Sequence, residues 1–438
     1  MNMRKRAVSL AIALPLLCLL GAFAYNLPPI HERLAWRLDA LRTRLLYALH
    51  PPEEALFVPQ AQTQLTLTPT SQPTRTATLS PTLPGPTETP LPSPTSTITP
   101  TPLPERVALE GVKYEDQHNR WNYCGPANLS MALTFWGWGG NRDVVGRAIK
   151  PNDDDKNIMP YEMEDFVETQ TEGLEALVRF GGDIDLLKRL VAAGFPVVTE
   201  KGYYERDFTG KVGWLGHYQF VTGYDDTKGV LIVQDTYIKA GENHEFPYPV
   251  FLEGWRSFNY TFLVVYPVER REQVLALLGP YADPTWATRH ALQVAQAETQ
   301  TQTGIHLFFA WFNVGTSHVN LQEYGDATYA YDYAFSTVYA NLKEEDLRPY
   351  RVMWYQTWPY WAYFYTGRYQ DVINLANTTL LETISEPVLE ESFYWRALAR
   401  EALGDRQGAI DDLRESVRLN RNFGPGWEQL NRLGVGSG

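Results

Sequence analysis

Cysteine is nearly absent: the 438 residues hold two, Cys18 and Cys124. Cys18 falls in an apolar leader, so the part that folds after it has one thiol and no internal disulfide framework. A surplus of positive charge is missing too. With 38 Lys and Arg against 51 Asp and Glu, the net charge is −13 and the pI about 5.2. No basic domain offers the phosphate-neutralising surface that a nucleic-acid partner needs. There is no ATP-binding motif and no series of apolar spans. Charge of either sign almost vanishes between Gln60 and Pro104, where Arg75 and Glu88 stand alone among Thr, Pro, Ser and Leu. Such a stretch cannot bury a core, and its prolines oppose regular helix or central strand. It reads as a disordered, partly polyproline spacer, reaching on the order of 140 Å at ~3.1 Å per residue. In an exported protein this composition suits a wall-spanning or O-glycosylated stalk.

What is plentiful is aromatic: 13% of the chain, with 13 Trp and 26 Tyr. The length leads us to expect two or three domains. Residues 1–25 open with Arg4-Lys5-Arg6 and continue as uncharged, mostly apolar sequence from Ala7 to Tyr25. As a helix that stretch is about 28 Å long, near the hydrocarbon thickness of a bilayer. It reads as an export signal, either retained as an anchor or cleaved after Ala22-Phe23-Ala24. Leu17 before Cys18 argues against a lipoprotein site. Residues 26–59 contain Leu34, Leu38, Leu41 and Leu45 at helical spacing, with Arg33, Arg37, Arg42 and Arg44 around them. This juxtamembrane helix either lies among lipid headgroups or packs, exposed, on its own protein.

The chemistry centres on Gln117-His-Asn-Arg-Trp-Asn-Tyr-Cys124-Gly125-Pro126-Ala127. Gly-Pro is a helix start signal, and Ala127 to Trp136 runs on as an apolar helix. A thiol at that mouth feels the positive end of the helix dipole and unpaired first-turn N–H groups, so its thiolate is favoured. A nucleophile needs a base. His217 opens a strand-like run to Gly223-Tyr224-Asp225, and a second strand from Gly229 ends at Asp235, which two antiparallel neighbours can bring beside the imidazole. Gln117 is a candidate donor to a developing oxyanion, a role worth roughly 3 kcal/mol. The rival histidines are less suitable: His118 is too near Cys124 in sequence, and His244 sits in an irregular Gly-Glu-Asn-His segment.

These segments, Gln-x6-Cys-Gly-Pro-Ala, Gly-His-Tyr-x-x-Val-x-Gly-Tyr-Asp and Val-x-Asp, resemble cysteine peptidase family 39 in the family's own order. That family belongs to the papain-like clan and includes bacteriocin-leader processing peptidases. The resemblance covers about Glu105 to Val268. It implies Cys124 as nucleophile, His217 as base, Asp235 as orienting acid and Gln117 as oxyanion donor. The family often spaces the Gln about six residues before the Cys; here the spacing is seven, and Asn122 is the substitute donor.

The expected fold of residues 105–268 is α+β and papain-like, with helices first and an antiparallel sheet after. Asn141–Ile149, Tyr161–Thr169 and Asp183–Ala193 read as helices, the last stopped by Gly194. Phe195–Thr199, His217–Tyr224, Gly229–Gln234 and Phe262–Tyr266 read as strands. Lys201 to Gly216 reads as a long aromatic, glycine-rich loop. Its Tyr203, Tyr204 and Trp214 are candidate substrate-cleft contacts, or else pack down as a lid.

Residues 269–438 change to helical repeats. Trp311, Gly315, Tyr324, Ala327, Tyr331 and Ala334 form one unit, Tyr363, Gly367, Tyr369 and Ala376 a second, and Phe393, Ala397, Gly404, Ala409 and Leu413 a third. The spacing resembles tetratricopeptide (TPR) repeats from about Leu307 to Phe423, an all-α stack with small residues where paired helices touch. Such arrays bind peptides or proteins. Tyr355, Trp358, Tyr360 and Trp361 offer an aromatic surface for that, or else fill the stack.

The sequence therefore points to an extracytoplasmic cysteine peptidase acting on a peptide or protein, with a TPR-like domain that recruits a partner. It is expected to be held at the cell membrane by its N-terminal helix, or secreted if the leader is cleaved. No cofactor or metal is implied. Two alternatives stay open: a non-catalytic tethered scaffold on the same framework, and an acyl transferase using the same triad.

Overall fold

The computed structural model describes Gly21, Tyr25, residues 28–53, 55, 57–60, 102–206, 212–343 and 347–436. Apart from Gly21 and Tyr25 the expected leader lies outside the described residues, as does the spacer from 61 to 101. Among the described residues no helix is long and apolar enough to cross a membrane. The juxtamembrane segment forms helix α1, Pro28–Leu49. Its Leu38, Leu41, Leu45 and Leu49 are exposed, while Arg42 pairs with both Asp154 and Glu386. Those acids come from the two halves of the protein, so α1 packs on its own chain. The segment after it ends with Phe57 buried edge-on against Phe335 and Tyr363.

The first half is a seven-stranded antiparallel sheet with helices on both sides. In chain order it comprises β1 (Arg106–Ala108), α2 (Cys124–Phe135), α3 (Arg142–Ile149), α4 (Pro160–Gln170), β2 (Leu174–Arg179), α5 (Ile184–Ala192), β3 (Val197–Arg206), β4 (Val212–Asp225), β5 (Val230–Gln234), β6 (His244–Pro247), α6 (Tyr248–Arg256) and β7 (Phe262–Pro267). The order across the sheet is β2-β7-β3-β4-β5-β6, with β1 added along the end of β4. Local chemistry sets the helix limits. Asn141 caps α3 by accepting from Asp143 and Val144 N–H, and Asp183 caps α5 through Leu186 N–H at 2.6 Å. Gly194 closes α5 at φ +86°. On one side of the sheet Leu129, Met131 and Leu133 of α2 pack on Val198, Tyr218, Phe220 and Val265. On the other, Leu186, Leu187, Leu190 and Val191 of α5 meet Val197, Val221, Leu231 and Val264. These stripes follow the helical and two-residue periods of the sequence.

The expected loop from Lys201 to Gly216 is instead the two arms of the β3–β4 hairpin, in register from Val197↔Val221 to Arg206↔Val212. Its glycines misled the reading because they make room for rings rather than turns. A Cβ on Gly202 would come within 2.3 Å of the Trp214 indole nitrogen, and one on Gly216 within 2.6 Å of the Tyr355 ring. Strands β1, β2 and β6 and helix α6 were not anticipated either, being short or without a clear alternation.

The second half is helical: α7 (Arg271–Leu278), α8 (Pro284–Thr301), α9 (Gly304–Asn320), α10 (Tyr324–Asp332), α11 (Val352–Tyr355), α12 (Trp358–Tyr365), α13 (Tyr369–Asn377), α14 (Glu390–Ala402), α15 (Arg406–Leu419) and α16 (Gly424–Arg432). Among the helices in contact are α8/α9, α9/α10, α12/α13, α13/α14 and α14/α15. Gly315 of α9 lets the Tyr331 ring of α10 approach to 2.7 Å of where a Cβ would stand. After α10 and α13 the chain widens into π-turns, Tyr333–Val338 and Thr378–Glu382.

The two halves share one core. Trp214, 1% exposed, stacks on Phe258 at 5.4 Å and meets Phe309 and Tyr355 of the helical half. Tyr204 donates from its hydroxyl to Leu347 O at 2.7 Å. Trp214 and Tyr204 therefore dock the halves on each other. Of the expected aromatic binding surface, Tyr355 and Tyr360 are buried, whereas Trp358 and Trp361 stay partly exposed.

Candidate active site

Cys124 is the first residue of α2, and Gly125 and Pro126 follow it in the first turn. Gly125 packs closely, since a Cβ there would stand 3.0 Å from the Ile158 side chain. Asn128, one turn on and fully buried, donates from Nδ2 to Cys124 O at 2.9 Å and to Tyr218 O at 3.0 Å. This clamp ties the mouth of α2 to β4 one residue past His217. Nothing in the sequence reading singled it out. Its signal was a polar residue among the apolar positions of that helix.

His217 is 4% exposed and near enough to Cys124 for each side chain to shift the other's titration. Its Nε2 faces Asp235 Oδ1 at 3.1 Å, so Nδ1 is the nitrogen left for the thiol. Asp235 directly follows β5 and is fixed from several directions. Gln219 Nε2 donates to its Oδ2 at 2.5 Å, and the N–H groups of Tyr237 and Ile238 donate to its Oδ1 at 2.9 and 3.2 Å. Tyr203 lies edge-on to the imidazole at 5.6 Å, with Tyr237 at 6.3 Å. The three segments singled out in the sequence thus meet, and of the cleft candidates Tyr203 is the one beside them.

The electrostatics favour an ion pair. Burial acts against a charged imidazole, but the charge and hydrogen bond of Asp235, with those of Cys124, outweigh it and raise His217 to about 10. Burial likewise opposes the Cys124 thiolate. The hydrogen bond and charge of His217, with the N–H groups of Tyr218 and Gly125, reverse that and bring the thiol below its ordinary value. Asp235 is held below the ordinary carboxylate range: its burial is outweighed by His217 and Gln219.

Gln117 is nearly buried and bound to the residue after Asp235. Its N–H donates to Thr236 O at 2.8 Å, and its Oε1 accepts from Thr236 Oγ1 at 2.9 Å, which fixes which end of the amide is the donor. Asn122, the substitute, has Nδ2 committed to Asp155 O at 3.0 Å and a backbone φ of +48°. It belongs to the loop before α2. His118 bonds Tyr237 O at 2.9 Å, and His244 lies on β6, so neither competes with His217. One feature comes from the other half: the Tyr355 ring of α11 packs on Gly216. Among the described residues, His318, Glu323 and Asp326 are the set that can converge on an ion; they lie at the α9–α10 turn, where His318 Nδ1 already meets Glu323 at 2.7 Å.

No curated protein matches the sequence. One solved structure that it resembles is described as a putative C39-like peptidase from Bacillus anthracis; identity is 16%, over 37% of this chain and 97% of that one, with a TM-score of 0.30. Residues 109–262 match the family model named Peptidase_C39 like family. The matched stretch runs from before Gln117 to beyond Asp235 and so contains Cys124, Asn128, His217 and Gln219, making this part of the chain C39-like.

Proposed function

We propose that the chain is a cysteine peptidase. The observation that carries this reading is His217, whose Nε2 faces Asp235 Oδ1 at 3.1 Å and whose titration is coupled to that of the nearby Cys124 thiol. Cys124 as thiolate attacks a peptide carbonyl, and the His217 imidazolium gives its proton to the leaving amine. The neutral imidazole then takes a proton from water as the hydroxide attacks the thioester, releasing the acid and restoring the pair. The Cys124 backbone N–H at the helix mouth and the Gln117 amide are assigned to the oxyanion. The Asp235 carboxylate keeps the ring oriented and steadies its charge. The leader is assigned to export and tethering and the spacer to reach, so that both folded halves act outside the membrane. The TPR-like helices are assigned to partner or substrate recruitment.

The test is labelling and turnover together. The full-length protein should react with iodoacetamide at Cys124 and cleave members of a peptide library, and Cys124→Ala should do neither. Cleavage that survives in Cys124→Ala rejects the reading. An added amine acceptor that captures the acyl group in place of water assigns the site to a transferase.

A further inference from the structure

Between the sheet half and the helical half lies a cavity of about 750 Å³ that the mechanism above does not use. Its helical wall is aromatic: Trp358, Trp361 and Trp395 line it, with Trp361 and Trp395 at 4.9 Å and Trp358 and Trp361 at 6.2 Å between ring centroids. Its opposite wall contains Glu200 of β3. That residue is 3% exposed, and its Oε1 has no hydrogen-bond partner among the described residues. A second buried carboxyl, Glu391 of α14, lines the cavity at 9% exposure. The one guanidinium on the lining, Arg179, is turned away, donating to the carbonyls of Val178, Tyr281 and Ala282.

A buried carboxyl oxygen without a partner is costly, and an apolar ligand leaves that cost in place. A cation removes it and gains from the faces of the indoles as well. We infer that this cavity is a specificity subsite for a lysine or arginine side chain, with Glu200 as its counter-charge and Trp358, Trp361 and Trp395 as its aromatic wall. Burial, against the lowering contact with Tyr218 and with the Cys124 charge adding to it, holds the empty Glu200 carboxyl well above the ordinary range. Glu200 is the cross-strand partner of Tyr218, the residue that follows His217 on β4. The Glu200 end of the cavity is therefore one ladder position from the strand residue that carries the base. Calling the ligand a substrate residue rests on the peptidase reading; binding of the cation does not.

The experiment uses full-length Cys124→Ala protein, which lacks the candidate nucleophile, so its outcome is separate from that of the peptidase reading. It is titrated calorimetrically with n-butylammonium, which reproduces the end of a lysine side chain, and with 1-butanol as the uncharged counterpart. The expected result is saturable binding of the cation, with a Kd at least tenfold below that of the alcohol. That preference should fall at least tenfold when Glu200→Gln is added, and binding should weaken when Trp361→Leu replaces it. Equal binding of the alcohol, no saturable binding, or a preference untouched by Glu200→Gln overturns the inference. Should Glu200→Gln protein fail to fold, Trp361→Leu decides: unweakened binding there rejects the aromatic wall.

Discussion

The Tyr355 ring of the helical half occupies the space that a side chain on Gly216 would need, 2.6 Å from the position of its missing Cβ. Gly216 precedes His217, so the helical half presses on the strand that holds the base. Overpacking of this kind costs about 1–3 kcal/mol. Gly216→Ala is expected to lower the thermal midpoint and to slow alkylation of Cys124 by iodoacetamide. An unchanged midpoint with an unchanged rate would show that the two halves are not coupled at this point.

The pH profile follows from the pair. With the Cys124 thiol below its ordinary value and His217 raised to about 10, the thiolate–imidazolium form fills the interval between the two. Alkylation should already be fast below pH 8.5, the ordinary thiol region. Peptide turnover, which needs the imidazolium as acid, should fall as pH rises through about 10. The stability sign agrees: a raised histidine contributes fully below its unfolded value near 6.5 and loses that contribution as pH climbs through about 10.

Asp235→Asn removes the charge that raises His217 while keeping a similar shape. The alkaline limb of turnover should move to lower pH, and kcat should drop by roughly 10²–10⁴, by analogy with an orienting acid replaced by its amide. Turnover measured from pH 6 to 11 on both proteins checks this, and coincident profiles would leave Asp235 without the orienting role.

Asn128→Ala leaves the carbonyls of Cys124 and Tyr218 without their shared donor. The expected loss is about 1–3 kcal/mol in chemical denaturation. Alkylation should slow as well, because α2 is no longer pinned beside β4. Loss of stability without any change in alkylation rate would make Asn128 a packing residue alone.

Trp214→Ala and Tyr203→Ala should separate docking from chemistry. The first opens a cavity where the halves share a core, at a cost of about 3–5 kcal/mol. The second removes the ring beside His217 and should alter the alkylation rate and its pH dependence more than the thermal midpoint. The reverse pattern would exchange their roles.

Much of the site was legible because its signals are local. Cys-Gly-Pro before an apolar run marks a thiol at a helix mouth, and Asp235 follows a readable strand end, whereas His217, expected to open a strand, lies within β4 because the strand begins at Val212. Gln219, Tyr237 and Asn128 were not legible, since a register pairing and one side-chain clamp decide their roles. The hairpin arms were misread because Gly202, Gly213 and Gly216 resemble loop punctuation. Their actual neighbours, Trp214, Arg351 and Tyr355, are apparent only once distant segments come together.

Composition and periodicity by themselves determined a sheet half followed by a helical half, and which thiol, imidazole and acid were candidates. They did so because helical and strand periods and helix start signals are written within a few residues. Only the tertiary structure decided that Trp214 joins the halves, that Tyr203 is the ring beside the base, and that Glu200 faces an aromatic cavity unpartnered. Those outcomes depend on how the sheet and the helices settle against each other, and no short stretch of sequence records that packing.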